Sequence, residues 1–210
     1  MIFVQATQGS DEWRAARCGV ITASKFRDAI ETTAKGKPTS KALLYAAQVA
    51  VERVSSQPCD EGLNSWQMRR GVELEPSARM EYEAATGNLA SESGVILTDD
   101  RLFGYSTDGF IEDDGLIEIK CLVSAIGVIE MWRDRDLSEY MHQIQGGLWI
   151  SHRQWADFVM YAPQLAPVNK QLFRVRVERD DDFIDAMVEK LMAFATMVDE
   201  NERVLRLEAS

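Results

Sequence analysis

Residues 105–121 read YSTDGFIEDDGLIEIKC, and this stretch decides the fold. Phe110-Ile111 and Leu116-Ile117-Glu118-Ile119 alternate as strands do, and Asp113-Asp114-Gly115 between them is strong turn chemistry, so the segment predicts a hairpin. With a three-residue loop Asp108 lies opposite Lys120 and Phe110 opposite Glu118, which puts Asp108, Glu118 and Lys120 on one face. A two-residue loop would set Asp108 opposite Ile119, on the wrong face. Two carboxylates converging from adjacent strands make a hard oxygen site suited to Mg²⁺ or Mn²⁺; zinc prefers nitrogen and sulfur. A lysine two residues from such a carboxylate can stabilise an attacking hydroxide or phosphate charge, and partial burial is expected to lower its pKa. For this short pattern alone a surface hairpin with a cross-strand Glu–Lys pair is the better reading, because such motifs recur by chance.

Outward from the hairpin, strands are expected at 94–98 and 102–106 before it, and at 155–161 and 172–178 after it. Ser10 can cap a short helix through Arg17, with Gly19 just past its end, and Thr22 can cap a second that begins Ala23-Ser24-Lys25. Two helix N-termini near Arg17, Ser24 and Lys25 would attract phosphate. A helix from Thr39 or Ser40 carries Leu43, Leu44, Ala47, Val51 and Val54 at helical spacing, a stripe expected in the core. Residues 65–86 read as helix, with Pro76 expected to kink or restart it and Glu73 and Glu75 at that break; either could be aimed into a cleft or simply solvated. Helices over 124–133 and 137–151 follow, the second capped by Ser138 with Met141, Ile144 and Leu148 inward and Gln143 and Gln145 beside that stripe. A last amphipathic helix over about 180–200 turns Phe183, Met187, Leu191 and Phe194 inward. Strands between helical segments imply an α/β or α+β domain with a mixed sheet covered on both faces.

At 210 residues and 46% hydrophobic content, one core without a linker is expected. The first residues, MIFVQATQGSDEW, show no basic leader before an apolar run, so an unexported, membrane-free protein is expected. Cys18, Cys59 and Cys121 are odd in number and form no CxxC, which fits free thiols in a reducing cytosol. No HxxxH, Ser-His-Asp or phosphate-loop pattern is present. A net charge of −11 argues against an extensive nucleic-acid-binding face. Yet residues 1–41 hold seven basic side chains against four acidic ones, leaving −14 in the remainder, so positive charge gathers at the N-terminal end. That could equally be a solvated helix face.

Four segments, in order, resemble one family: GSDEWRAARCGVITASKF (9–26), RGVELEPSARMEYEAATG (70–87), STDGFIEDDGLIEIKC (106–121) and YMHQIQGGLWI (140–150). Together they resemble the lambda exonuclease or YqaJ-type viral recombinase family, and four motifs in order reverse the preference for a surface hairpin. The resemblance implies a restriction-endonuclease-like core, a central mixed β-sheet flanked by helices, with the PD-(D/E)xK signature as Thr107-Asp108 and Glu118-Ile119-Lys120. It implies one nuclease domain over 1–210: a basic, helical DNA-end-binding part (1–60), a catalytic core (61–178) and a C-terminal helix (179–210). The activity it implies is Mg²⁺-dependent (or Mn²⁺-dependent) 5′-to-3′ digestion of one strand of double-stranded DNA, giving 5′-mononucleotides and 3′ overhangs for single-strand annealing.

In that reading Asp108, Glu118, the Ile119 carbonyl and Glu75 of the E-x-x-A-R segment hold two metal ions, while Gln143 positions water or Lys120. Arg17, Ser24 and Ser106 hold the 5′ phosphate. Family members carry Pro and a basic residue soon after the catalytic Lys-Cys; Cys121-Leu122-Val123-Ser124 departs from this, and Lys35 or Lys37 is expected to substitute. A homotrimeric ring around DNA, a single-strand annealing partner and the bacterial cytoplasm, with a phage or prophage gene, complete the expectation. An endonuclease or junction resolvase of the same fold, or a non-catalytic DNA-end-binding protein, are the alternatives.

Overall fold

The computed structural model describes residues 1–59, 66–91, 94–121 and 124–207. The expected boundary at 60/61 and the Leu122-Val123 pair fall outside them. In chain order the elements are β1 (Ile2–Val4), α1 (Asp11–Arg17), β2 (Ile21–Thr22), α2 (Phe26–Ile30), α3 (Ser40–Ser55), α4 (Trp66–Thr86), β3 (Ala90–Ser91) and β4 (Val95–Leu97). They continue with β5 (Phe103–Tyr105), β6 (Gly109–Ile111), β7 (Gly115–Lys120), α5 (Ala125–Asp134), α6 (Met141–Ser151), β8 (Trp155–Tyr161), β9 (Leu172–Glu178) and α7 (Asp181–Arg206).

The expected mixed α/β architecture is present, with its strands divided between two mixed sheets. One has the order β1-β4-β5-β2, with β2 parallel to β5; the other runs β3-β6-β7-β8-β9, with β7 parallel to β8. Alternation along β7 and β8 sets the layers. Leu116, Ala156, Phe158 and Met160 face the main core, shared with α2, α3, α5, α6 and α7, whereas Ile117, Ile119, Val159 and Tyr161 face Ala78 and Tyr82 of α4. Each buried Leu, Ile, Val, Phe or Met among them contributes about 1.5–3 kcal/mol of hydrophobic stabilisation, so helices on both faces fix the central strands in register.

The β6–β7 hairpin has a three-residue loop, but its register is shifted by two from the expected one: Gly109 pairs with Ile117, Phe110 with Leu116 and Ile111 with Gly115. Extending that register sets Asp108 opposite Glu118, not Lys120. A shift of two preserves the face, so the three side chains still share one side of the strand pair. The turn is Glu112-Asp113-Asp114, with Glu112 at φ +48°, and Gly115 belongs to the strand. A Cβ on Gly115 would sit 2.3 Å from the Trp155 ring, so close packing by Trp155 demands this glycine.

Several local expectations are corrected. Ser10 caps α1, accepting from the Trp13 N–H, and the helix runs through Arg17 as expected, but Ala23–Lys25 is a 3₁₀ turn without a side-chain cap. Arg17 thus lies at the C-terminal end of α1, and of the two helix N-termini expected near Arg17, Ser24 and Lys25 only that of α2 lies beside Ser24 and Lys25. Helix α4 runs continuously through Pro76, and α6 starts after Tyr140, while the Ser138 N–H is held by Asp136. On α3 the stripe faces outward: Leu43, Leu44, Val51 and Val54 are exposed, and Ala42, Ala46, Val49 and Ala50 are buried. Small residues let α3 approach α7 closely, and closeness outweighs the hydrophobicity of the larger side chains.

Candidate active site

The C-terminal end of β7 receives side chains from three directions. Glu118 is only 2% exposed, and three neighbours satisfy its carboxylate. Tyr105 donates its hydroxyl to Oε2 at 2.9 Å, Lys120 donates from Nζ to Oε1 at 2.7 Å, and the Gln143 amide donates to the same Oε1. Lys120 also donates to Gln143 Oε1 at 3.3 Å, so carboxylate, ammonium and amide close a small ring. Helix α6 can bring Gln143 this near because Gly147 lies against the Tyr105 ring, where a Cβ would be 2.6 Å from it. Gln145, two residues on and therefore on a different side of α6, is buried and ties α6 to the β9–α7 junction through the Glu178 carbonyl and the Asp180 N–H. Its role is structural.

From the β6 side, Asp108 Oδ2 accepts from the Ile119 N–H at 2.6 Å, just past the last residue pair of the hairpin. From the other face of the sheet, α4 supplies Glu75, whose carboxylate lies 3.6 Å from the Arg79 guanidinium. Arg79 in turn donates to the Asp108 and Ala90 carbonyls, pinning α4 to the strand ends. Glu73 is exposed to solvent.

The electrostatics are those of carboxylates crowded together. Burial, then the charges of Glu118 and Glu75, raise the Asp108 carboxyl well above the usual carboxylate range. Burial also raises Glu75, with Arg79 opposing and Glu118 adding to the rise. Lys120 departs from the expectation of a lowered pKa: burial does push it down, but Glu118 and Asp108 outweigh burial and raise it. It is an ammonium at neutral pH. Among the described residues no three acidic, His or Cys side chains form a ready cation cage, and Tyr105, Lys120, Gln143 and the Ile119 N–H hold oxygens of Glu118 and Asp108. The donor set nevertheless fits a hard divalent cation: all-oxygen, partly desolvated, and with raised proton affinity that a bound positive charge would relieve. A cleft of about 730 Å³ opens beside Asp108, Glu75 and Arg79, with Phe3, Pro76 and Met80 on its walls.

A second cluster lies just up the chain. Arg17 donates from Nη1 to Ser106 Oγ at 3.2 Å, two residues before Asp108. Thr22, held by Tyr45 through its N–H at 2.9 Å, lies 3.4 Å from the exposed Ser24 hydroxyl, and Tyr45 interacts electrostatically with Arg17. Lys35 and Lys37 are exposed on a loop closed by a Thr32–Pro38 bridge. Sequence reasoning missed Arg79, Tyr105, Trp13 and Tyr45. Arg79 is the arginine of E-x-x-A-R itself, one helical turn from Glu75, which was signal enough; the others reach the site only through tertiary packing.

The chain matches the model of the YqaJ-like viral recombinase domain over residues 12–154. Among solved structures it is similar to an alkaline exonuclease from Laribacter hongkongensis, at 34% identity and a TM-score of 0.83, over 94% of this chain and 96% of that one. The same exonuclease in complex with dAMP gives a TM-score of 0.84 at the same identity and coverage. A phage-related exonuclease from Haemophilus somnus 129PT shares the fold at 18% identity and a TM-score of 0.68, over 86% of this chain and 94% of that one. No curated protein matches the chain. With the family model spanning most of the chain and the alkaline exonuclease aligned over nearly all of it, the chain belongs to the YqaJ-like viral recombinase domain family.

Proposed function

We propose that this protein is a 5′-to-3′ exonuclease that digests one strand of double-stranded DNA from 5′-phosphorylated ends, releasing 5′-mononucleotides and leaving 3′ single-stranded tails. The reading is carried by the convergence of Asp108, Glu118 and Glu75 around Lys120 at the end of β7, with Ser106 of the Arg17–Ser106 pair two residues before Asp108. Its kinship to an alkaline exonuclease supports it. Asp108, Glu118, Glu75 and the Ile119 carbonyl would hold Mg²⁺ or Mn²⁺, two ions per site. Such ions supply Lewis-acid polarisation of the phosphate and a water of lowered pKa.

The chain's own residues then have distinct tasks. Lys120, kept charged by Glu118 and Asp108, faces the negative charge that develops on the phosphorus oxygens. Gln143 and Tyr105 fix the Glu118 carboxylate so that its oxygens stay aimed at one point. Arg17, Ser106 and Ser24 anchor the terminal phosphate, so the bond presented to Asp108 is the first internal one. Lys35 and Lys37 supply further phosphate attraction in place of a basic residue after Cys121. A homotrimeric ring would let a protein of net charge −11 show DNA only its basic N-terminal surface. The tails would pass to a single-strand annealing protein in the cytoplasm of a bacterial host, the gene belonging to a phage or prophage. No helix among the described residues is long and apolar enough to cross a membrane.

The test uses linear duplexes with 5′-phosphate or 5′-hydroxyl ends, beside a closed circle, in Mg²⁺. Rapid release of mononucleotides from phosphorylated linear ends alone is expected. Cutting of the circle would point to an endonuclease, indifference to the phosphate would remove the assigned 5′ pocket, and failure to digest any substrate would favour an end-binding protein.

A further inference from the structure

Ser106 sits where two hydrogen-bond donors meet. Trp13 donates its indole N–H to Ser106 Oγ at 3.0 Å, and Arg17 donates to the same oxygen at 3.2 Å. The Arg17 guanidinium also lies 4.1 Å from the centroid of the Trp13 ring. This geometry follows from α1, where Trp13 and Arg17 are one turn apart and share a face. The Trp13 ring is itself seated against Val20, Val95 and Leu97. One side chain thus touches both members of the pair.

A serine hydroxyl offers two lone pairs and one proton. Here Trp13 and Arg17 engage both lone pairs, and among the described residues no acceptor is recorded for the proton. We infer that Trp13 is a positioning residue that turns Ser106 into an obligate donor and holds Arg17 beside it, so that the pair selects a terminal group able only to accept, a phosphate monoester. A 5′-hydroxyl brings one uncharged oxygen against several donors; a phosphate brings three charged ones. The inference deepens the proposed reading of this cluster as the seat of the 5′ end and rests on it.

The test is Trp13→Phe, which keeps an aromatic face for Arg17 and removes the N–H along with part of the indole ring that packs on Val20, Val95 and Leu97. The ratio of kcat/KM for phosphorylated over hydroxyl-ended duplexes should fall about tenfold, the worth of one hydrogen bond that serves a charged group. The loss should appear as a higher KM for phosphorylated ends, with a thermal melt establishing that the variant is folded. Ser106→Ala should lower the ratio similarly, and Trp13→Phe with Ser106→Ala should lower it no further, because Trp13 acts through Ser106. An unchanged ratio in Trp13→Phe, or losses that multiply in the double variant, would overturn the inference. A wild-type enzyme without preference for phosphorylated ends would instead remove the underlying reading, and this inference with it.

Discussion

Tyr105 and Glu118, from strands in different sheets, meet in a 2.9 Å hydrogen bond buried at the centre of the candidate site. Burial, and then the Glu118 charge, raise the Tyr105 hydroxyl well above its ordinary pKa, so it remains a donor at every working pH. Replacing it by Phe leaves Glu118 Oε2, on a side chain only 2% exposed, without its donor. Tyr105→Phe should cost about 1–3 kcal/mol in denaturant unfolding and slow nucleotide release, because the carboxylate can then turn about its stem. Unchanged stability and rate would mean that Lys120 and Gln143 alone hold Glu118.

The same tyrosine explains a prediction at Gly147. A Cβ there would lie 2.6 Å from the Tyr105 ring, well inside contact distance. Gly147→Ala should therefore raise local helix propensity yet lower stability by about 1–3 kcal/mol, the usual cost of overpacking. It should depress activity together with stability by moving Tyr105 off Glu118. Alanine at Gly71, whose added Cβ would meet nothing within 4 Å among the described residues, is the control and should be neutral or slightly stabilising.

The sequence reported some of this directly and could not report the rest. Strands 155–161 and 172–178 match β8 and β9 to the residue, β8 as a nearly continuous apolar run of a strand buried on both faces and β9 as an alternating one. Strands β1, β2 and β3 are two or three residues long, too short to alternate, and were not foreseen. The α3 stripe was misread because the hydrophobic ranking favours Leu43 and Leu44, whereas close packing against α7 selects Ala42 and Ala46. Asp108, Glu118 and Lys120 were legible as a group because strand parity survives a shift of two residues. Tyr105 was not, since its partnership with Glu118 depends on how two sheets and α6 come together. The raised pKa of Lys120 likewise depended on how closely two carboxylates approach it, which spacing along a strand does not reveal.

Asp157 provides a prediction away from the site. It has no exposed surface, yet it accepts from Tyr82 at 2.7 Å, from Arg176 at 3.0 and 3.1 Å and from Arg174 at 3.3 Å. Burial pushes its carboxyl up, but the Arg176 and Tyr82 hydrogen bonds and the arginine charges more than offset this, leaving it below the usual range. A depressed acid contributes stability above its unfolded pKa, near 4, and loses it as pH falls through the lower folded value. Asp157→Asn should thus be destabilised by about 1–3 kcal/mol at pH 7, with the gap from wild type closing below about pH 4. A gap that persists unchanged into acid would show that shape, not charge, is what Asp157 provides.

Lys120 separates cation binding from turnover. Lys120→Ala removes a positive charge 2.7 Å from Glu118 without removing a carboxylate. Calorimetric titration with Mg²⁺ or Mn²⁺ should find binding retained or tightened, while release of nucleotides from phosphorylated duplexes is abolished. Asp108→Ala should abolish both. Near-wild-type turnover in Lys120→Ala would refute the charge-stabilising role given to the ammonium.

Asp108 should also reveal what the site costs the fold. Its carboxyl is raised well above normal by burial and by its acidic neighbours, so ionising it in the folded state is unfavourable. For a raised acid the sign is opposite to that of Asp157: the folded state binds the proton more tightly, and stability from this group declines as pH climbs through the elevated folded pKa. Asp108→Asn removes the ionisation and retains an oxygen for the Ile119 N–H. In chelator the variant should be inactive but more stable than wild type at pH 8, by about 1 kcal/mol. The advantage should vanish near pH 4, where wild-type Asp108 is protonated. Added Mg²⁺ should narrow the gap at pH 8 by stabilising only the wild type. A variant less stable than wild type in chelator at pH 8 would mean that the Ile119 hydrogen bond outweighs the repulsion among the carboxylates.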